Sequence, residues 1–200
     1  MIVDIPISFE EMRWQDVPSV IEIEYRSFTL PWSANTYRHE ILENANAHYY
    51  VLRRHAEAAQ PRGWLQRLAR RESNSTLIGY GGFWMIVDEA HISTIAVDVG
   101  WRGRGLGEFL LASMIERAAR MNIAKITLEV RESNLVAQAL YRKYGFAITG
   151  KRPHYYQDNQ ENAFIMGVMG VNTEAYRNTL GELTLALSAR LTMSRESLAG

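Results

Sequence analysis

The sequence predicts a single α/β domain, because apolar runs of strand length alternate with amphipathic stretches of helix spacing and a glycine-rich loop joins a strand to a helix midway along the chain. Its 200 residues, 47% hydrophobic and 22% charged, suffice for one compact core with one added element and would be cramped as two domains.

The elements follow in order. Asp16 ahead of Val17 and Pro18 is a good N-cap with proline in the first turn, and Val20, Ile21, Ile23, Glu24 and Phe28 continue a helix over about 17–28. Pro31-Trp32 breaks it, and Ser33 can cap a second helix through Tyr37, Ile41 and Leu42. Residues 49–52 read as a strand, and the pattern then breaks over 53–75. Residues 77–86 and 90–97 read as an antiparallel pair joined by a tight turn at Val87-Asp88-Glu89. After Val97 come the glycine loop, a helix over about 105–121, a strand over 125–130 and a helix over 134–144 stopped by Gly145. Strands over about 147–152 and 163–168 flank an aromatic loop. A last helix carries Tyr176, Leu180, Leu183, Leu187 and Leu191 on one face.

Lys plus Arg equals Asp plus Glu at 22 each, so no net field draws the molecule to nucleic acid, membrane or an acidic substrate. The absence of cysteine excludes disulfides, thiolate metal sites and a cysteine nucleophile, and suits a reducing cytoplasm. Residues 1–11 lack the basic leader and apolar run of a secretory signal, and no segment reaches the roughly 18 apolar residues of a membrane span, so a cytoplasmic protein is expected. His39, His48, His55, His91 and His154 form no ligand-spaced pair beside carboxylates, so no metal is expected, and no nucleophile elbow accompanies the serines.

Arg102-Gly103-Arg104-Gly105-Leu106-Gly107 follows a strand and opens a helix, where unpaired N–H groups and the positive helix end suit an anion such as a diphosphate. The plainer alternative is a surface turn with incidental arginines. A Walker loop would end in Gly-Lys-Ser or Gly-Lys-Thr, which is absent. A dinucleotide fingerprint starting at Gly103 would need glycine where Glu108 stands, although Glu129 lies about where a ribose-binding acid is expected. The remaining pattern is Arg/Gln-x-x-Gly-x-Gly, met by Arg102, Gly105 and Gly107.

That loop, together with Leu30-Pro31-Trp32-Ser33, Thr94-Ile95-Ala96-Val97-Asp98, Leu128-Glu129-Val130-Arg131, Ser133-Asn134, Ala139-Leu140-Tyr141 and Tyr144-Gly145-Phe146, resembles the GCN5-related N-acetyltransferase (GNAT) superfamily. Within it, the chain resembles the RimI-type enzymes that acetylate the N-terminus of a ribosomal protein. The match runs over about 8–169; Val99 stands where similar enzymes usually carry proline. The resemblance implies a mixed, mostly antiparallel sheet of about seven strands flanked by helices, with central strands splayed at an acetyl-CoA site. It divides the chain into a catalytic domain over 1–170, interrupted by a basic insertion at 53–75, and a C-terminal helical extension over 171–200.

The resemblance also implies roles. The backbone of Ile95, Ala96 and Val97 would pair with the pantetheine arm, the Val97 N–H polarising the thioester carbonyl, and residues 102–108 (Arg102, Gly103, Arg104, Gly105, Leu106, Gly107, Glu108) would hold the diphosphate. Glu129 shares a strand face with Thr127 and Arg131, opposite Ile126, Leu128 and Val130, and is the candidate base; a solvated or salt-bridged strand glutamate is its other reading. Asn134 would contact CoA, and Tyr141 would give a proton to the departing thiolate, unless it is a core tyrosine packed through its ring. Leu30, Pro31 and Trp32, with Tyr155 and Tyr156, would close over the acceptor or else serve as ordinary packing.

The acceptor implied is a protein N-terminus, that of a ribosomal protein, with acetyl-CoA as donor and a monomer or homodimer as the assembly. A peptide α-amine, of pKa about 7.7–8.0, is roughly a tenth to a fifth neutral at pH 7, so a mild base suffices. The alternatives are a GNAT enzyme acting on lysine, polyamine or small-molecule amines, and a non-catalytic acetyl-CoA-binding module. Nucleic acid enters only through the insertion, where Arg67, Arg70 and Arg71 could guide a ribosomal substrate if they are not simply a solvated loop.

Overall fold

A computed structural model describes residues 7–55 and 75–199. The insertion, with Trp64, Leu65, Leu68, Arg67, Arg70 and Arg71, lies outside the described residues apart from its ends. Seven strands, β1 (Ile7–Glu11), β2 (Ala47–His55), β3 (Ser75–Ile86), β4 (Glu89–Val97), β5 (Lys125–Arg131), β6 (Ala147–Tyr156) and β7 (Glu161–Met169), form one sheet in the order β1-β2-β3-β4-β5-β7-β6. Among the described strands only the β4–β5 pair is parallel, as a strand–helix–strand connection requires. The helices are α1 (Val17–Ser27), α2 (Ala34–Leu42), α3 (Leu106–Arg120), α4 (Leu135–Lys143) and α5 (Glu174–Ala199). None of the described helices is long and apolar enough to cross a membrane.

The sheet separates two cores. Tyr50, Leu52, Ile92, Ile126, Leu128 and Val130 face α3 and α5, whereas Tyr49, Val51, Tyr80 and Ala96 face α1 and α2. Period-two alternation along each strand produces this split. In α5, Leu180, Leu187 and Leu191 are buried in the first core, so the apolar stripe closes on this domain.

Several elements depart from expectation. β1 was not anticipated: its short sequence carries two carboxylates, and it forms by pairing with β2. β2 and β3 run on through Arg53 to His55 and from Ser75, because these residues pair with each other across the base of the insertion. Asp16 makes no cap bond to α1; its carboxylate accepts from the Arg13 N–H at 2.9 Å and pairs with Arg53, leaving it buried. Ser33 does cap α2, accepting from the Thr36 N–H at 3.1 Å. The hairpin turn is Val87-Asp88 alone, with Val87 at φ 58°, so Ile86 faces Glu89 and Glu89 opens β4. Tyr155 and Tyr156 belong to the end of β6 and not to a loop.

Candidate active site

β4 and β5 pair from Glu89↔Lys125 to Ile92↔Leu128 and then part, while the far edge of β5 stays paired with β7 as far as Arg131↔Ala163. The separation begins at a β-bulge. Ile92 faces Phe83 and Thr94 faces Gly82, leaving Ser93 as an extra residue on β4. The insertion of one residue reverses the facing of the strand: Ala90 and Ile92 point to the α3 core, but beyond Ser93 it is Ile95 and Val97 that do so. The Asp98 N–H donates to the Ile78 carbonyl on β3. By alternation, the backbone groups of Ala96 also face β3, and those of Ile95 and Val97 face the gap.

The glycine loop sits at the end of this gap. Gly103 and Gly105 adopt φ of 76° and 79°, the left-handed region that side chains disfavour. Gly105 is the N-cap of α3 and has no side chain to satisfy the N–H groups of Leu106, Gly107 and Glu108, so these remain available to an anion. The Cβ direction of Gly103 meets nothing within 4 Å, so the loop is open on that side. These features fit a diphosphate. Arg102 is a brace, its guanidinium donating to the Val97 carbonyl at 3.0 Å and to Ser27 Oγ at 3.0 Å. Arg104 lies over the Trp101 ring. The Glu108 carboxylate turns away from its own backbone, toward Lys143, Tyr144 and Arg190.

Glu129 lies on β5 just past the point of separation, its side chain only 8% exposed. It is salt-bridged: Oε2 is 2.9 Å from His91 Nε2 and Oε1 is 3.0 Å from Arg152 Nε. The hydrogen bond from His91, with the charges of His91 and Arg152, outweighs burial and holds this carboxyl below the usual glutamate range. His91 Nδ1 is 3.0 Å from Thr127 Oγ1, and the Thr127 hydroxyl donates to Glu89 at 2.6 Å. Thr127 has one hydroxyl proton, which goes to Glu89, so His91 Nδ1 must carry a hydrogen. Nε2 of the ring therefore faces the Glu129 carboxylate at 2.9 Å.

Tyr141 is buried, its ring 5.9 Å from that of Phe146, and burial first and Tyr156 second raise its pKa. Its hydroxyl has no hydrogen-bond partner among the described residues. Asn134 caps α4, Oδ1 accepting from the Ala137 N–H at 3.1 Å and leaving its amide nitrogen for other contacts.

On the α1–α2 side, the Trp32 N–H donates to buried Glu24 at 3.4 Å. Its ring stacks on Trp84 at 6.0 Å, and Trp84 stacks on His91 at 6.1 Å. An aromatic column therefore joins the Pro31-Trp32 turn to Glu129, while Leu30 is exposed. Across the gap, Tyr155 and Tyr156 meet edge to face, Arg152 lies over Tyr155 and Arg131 over Tyr156 at 3.8 Å. Arg131 also binds Asp158 and Glu161, and the Thr29 hydroxyl donates to Asp158 at 2.6 Å, tying the α1–α2 connection to the β6–β7 turn.

Sequence reading missed His91, Trp84, Arg152 and the Thr29–Asp158 bridge. Trp84 and His91 face each other across the hairpin, so a correct two-residue turn would have paired them. Arg152 and Asp158 carried no local signal; the pairing of β7 with the distant β5 brings the β6–β7 hairpin to Glu129 and Arg131.

Known proteins resemble this chain in sequence and fold. A protein from Bacillus subtilis (strain 168) named as a putative [ribosomal protein bS18]-alanine N-acetyltransferase is 40% identical over 157 residues, spanning 78% of this chain and 91% of its own. The [ribosomal protein bS18]-alanine N-acetyltransferase of Escherichia coli (strain K12) is 30% identical over 163 residues, 80% of this chain and 96% of its own. The crystal structure of the ribosomal-protein-S18-alanine N-acetyltransferase from Escherichia coli superposes with a TM-score of 0.66 at 28% identity, covering 82% of this chain and 94% of that one. The sequence pattern of the Acetyltransferase (GNAT) family matches residues 17–146, and the chain belongs to that family.

Proposed function

We propose that this GNAT enzyme transfers an acetyl group from acetyl-CoA to the N-terminal alanine of ribosomal protein bS18, in the cytoplasm. The observation that carries the chemistry is the parting of β4 from β5 after Ile92↔Leu128, with the glycine loop at one end of the opening and Glu129 in its wall. The acceptor is suggested by relatives whose names specify bS18-alanine.

Acetyl-CoA supplies the thioester. The loop N–H groups of residues 103–108 bind its diphosphate, with Arg102 bracing the end of β4 and Arg104 adding charge at the rim. The free edge of Ile95, Ala96 and Val97 receives the pantetheine arm as a strand would, and the Val97 N–H polarises the carbonyl as negative charge develops on its oxygen. The α-amine attacks in its neutral form; its nitrogen–carbon bond forms as the carbon–sulfur bond breaks.

The departing amine proton goes to the His91–Glu129 pair. The Glu129 carboxylate takes it directly or through a water, with the His91 ring 2.9 Å away to hold the carboxylate in place. Tyr141 protonates the thiolate. Burial keeps its hydroxyl protonated, so a donor stands ready for the sulfur as negative charge builds on it. Asn134 contributes its amide to CoA. Leu30, Pro31 and Trp32 on one side and Tyr155 and Tyr156 on the other grip the first residues of the acceptor under the Thr29–Asp158 bridge, which favours a small first side chain.

Turnover of acetyl-CoA against peptides that differ only in their first two residues tests the assignment. Peptides with the bS18 N-terminus and a free α-amine should be acetylated, and the same peptides with a blocked α-amine and free lysines should not. Equal rates on lysine or polyamines would replace the acceptor, and CoA binding without any acetylation would remove the enzyme.

A further inference from the structure

The last helix reaches the proposed cofactor loop. A Cβ on Gly105 would meet Leu191 Cδ2 at 3.1 Å and Leu187 Cδ1 at 3.6 Å, so α5 forms the wall behind the loop whose other side, at Gly103, is open. One turn further, the carboxylate of Glu108 stands at the amino end of α3, where a negative charge opposes a second anion. Arg190 of α5 binds its Oε2 at 2.8 Å, while Lys143 at the end of α4 and Tyr144 just beyond it bind its Oε1 at 2.5 and 3.1 Å. The Tyr176 hydroxyl donates to the Tyr144 carbonyl at 2.8 Å, fastening the start of α5 to the same corner.

We infer that α5 is a positioning element for the CoA diphosphate: Leu187 and Leu191 set the back of the glycine loop, and Arg190 cancels the charge of Glu108 beside the anion site. This rests on the proposed assignment of the loop to CoA. A carboxylate so close to the phosphates would cost affinity if left uncompensated, and the cost would fall with added salt. Lys143 holds one carboxylate oxygen and Arg190 the other, so the compensation is divided between α4 and α5 and loss of Arg190 leaves one oxygen without its cation.

The experiment uses the full chain. Calorimetry with CoA on the unaltered protein tests the loop assignment itself, since no binding there would end it whatever α5 does. Given binding, Arg190→Gln should weaken CoA roughly fivefold to tenfold at low salt, and less at high salt. Arg190→Lys should bind close to normally, as should the control Arg177→Gln, an exposed charge elsewhere on the helix. Adding Glu108→Gln to Arg190→Gln should restore most of the lost affinity, which relief of a merely structural defect would not do. In turnover, Arg190→Gln should raise KM for acetyl-CoA and leave KM for acetyl-pantetheine, which has no diphosphate, unchanged. CoA affinity within twofold of normal in folded Arg190→Gln, or an equal KM loss with acetyl-pantetheine, would overturn the inference.

Discussion

His91 Nε2 lies 2.9 Å from Glu129 Oε2, joining a ring on β4 to a carboxylate on β5 where the two strands begin to part. Neither residue is isolated: Trp84 stacks on the His91 ring, Thr127 receives its other N–H, and Arg152 holds the second carboxylate oxygen. The contact is therefore fixed on both sides.

Glu129→Gln should lower kcat by about 10² or more with CoA affinity largely kept, because the base acts after the donor is bound. Single-turnover acetylation with a bS18-type peptide, alongside calorimetry, measures both. An unchanged kcat across the pH range would return Glu129 to the role of a salt-bridged strand residue.

His91→Phe keeps a flat ring for Trp84 to stack on and removes both nitrogens. A fall in kcat of about tenfold or more, with little change in peptide KM, is expected if the ring holds the Glu129 carboxylate in place. Retained kcat would make His91 a packing partner only.

Gly105→Val should weaken CoA binding and also lower the melting temperature. The position has φ 79°, and a Cβ there meets Leu191 Cδ2 at 3.1 Å, so the side chain strains the backbone and pushes on α5 at once. Calorimetry and thermal melts separate the two effects; normal values in both would contradict the loop geometry.

The bridge over the site should weaken in acid. Hydrogen bonds from the Ser133 side chain and backbone N–H lead in holding Glu161 down to about 2 from the ordinary 4.5, and the Thr29 and Arg131 bonds hold Asp158 below its usual range. Folded-state values below the unfolded ones mean that the stabilisation is complete above about 4.5 and is lost as pH falls toward about 2. Glu161→Gln should therefore lower Tm by roughly 1–3 °C at pH 7, and the gap to the unaltered protein should narrow steadily as urea or thermal unfolding is followed below about pH 4.5 toward pH 2. A gap that persists at low pH would show that the ionised carboxylate is not its source.

Much of this was legible in the chain. The glycines of the loop, Ser33 as a cap, Gly145 as a stop, and the alternation that sets Glu129 opposite Ile126, Leu128 and Val130 are local features, and local sterics and periodicity suffice to read them. The family resemblance carried by those segments added the seven-stranded sheet and the acetyltransferase assignment, both of which hold. Only the tertiary structure decided the rest. The bulge at Ser93, which turns Ile95 and Val97 toward the same core as Ile92 and leaves their backbone groups facing the gap, depends on how β4 meets β3 and leaves no mark in composition. The His91–Glu129 contact depends on the parallel register of β4 and β5, and Arg152 reaches Glu129 only because β7 lies between β5 and β6. The periodicity of the α5 stripe does not say which surface it meets; the fold brings the first core near and buries Leu180, Leu187 and Leu191 in it, since burial of an apolar face is non-directional and is satisfied by whichever surface lies close.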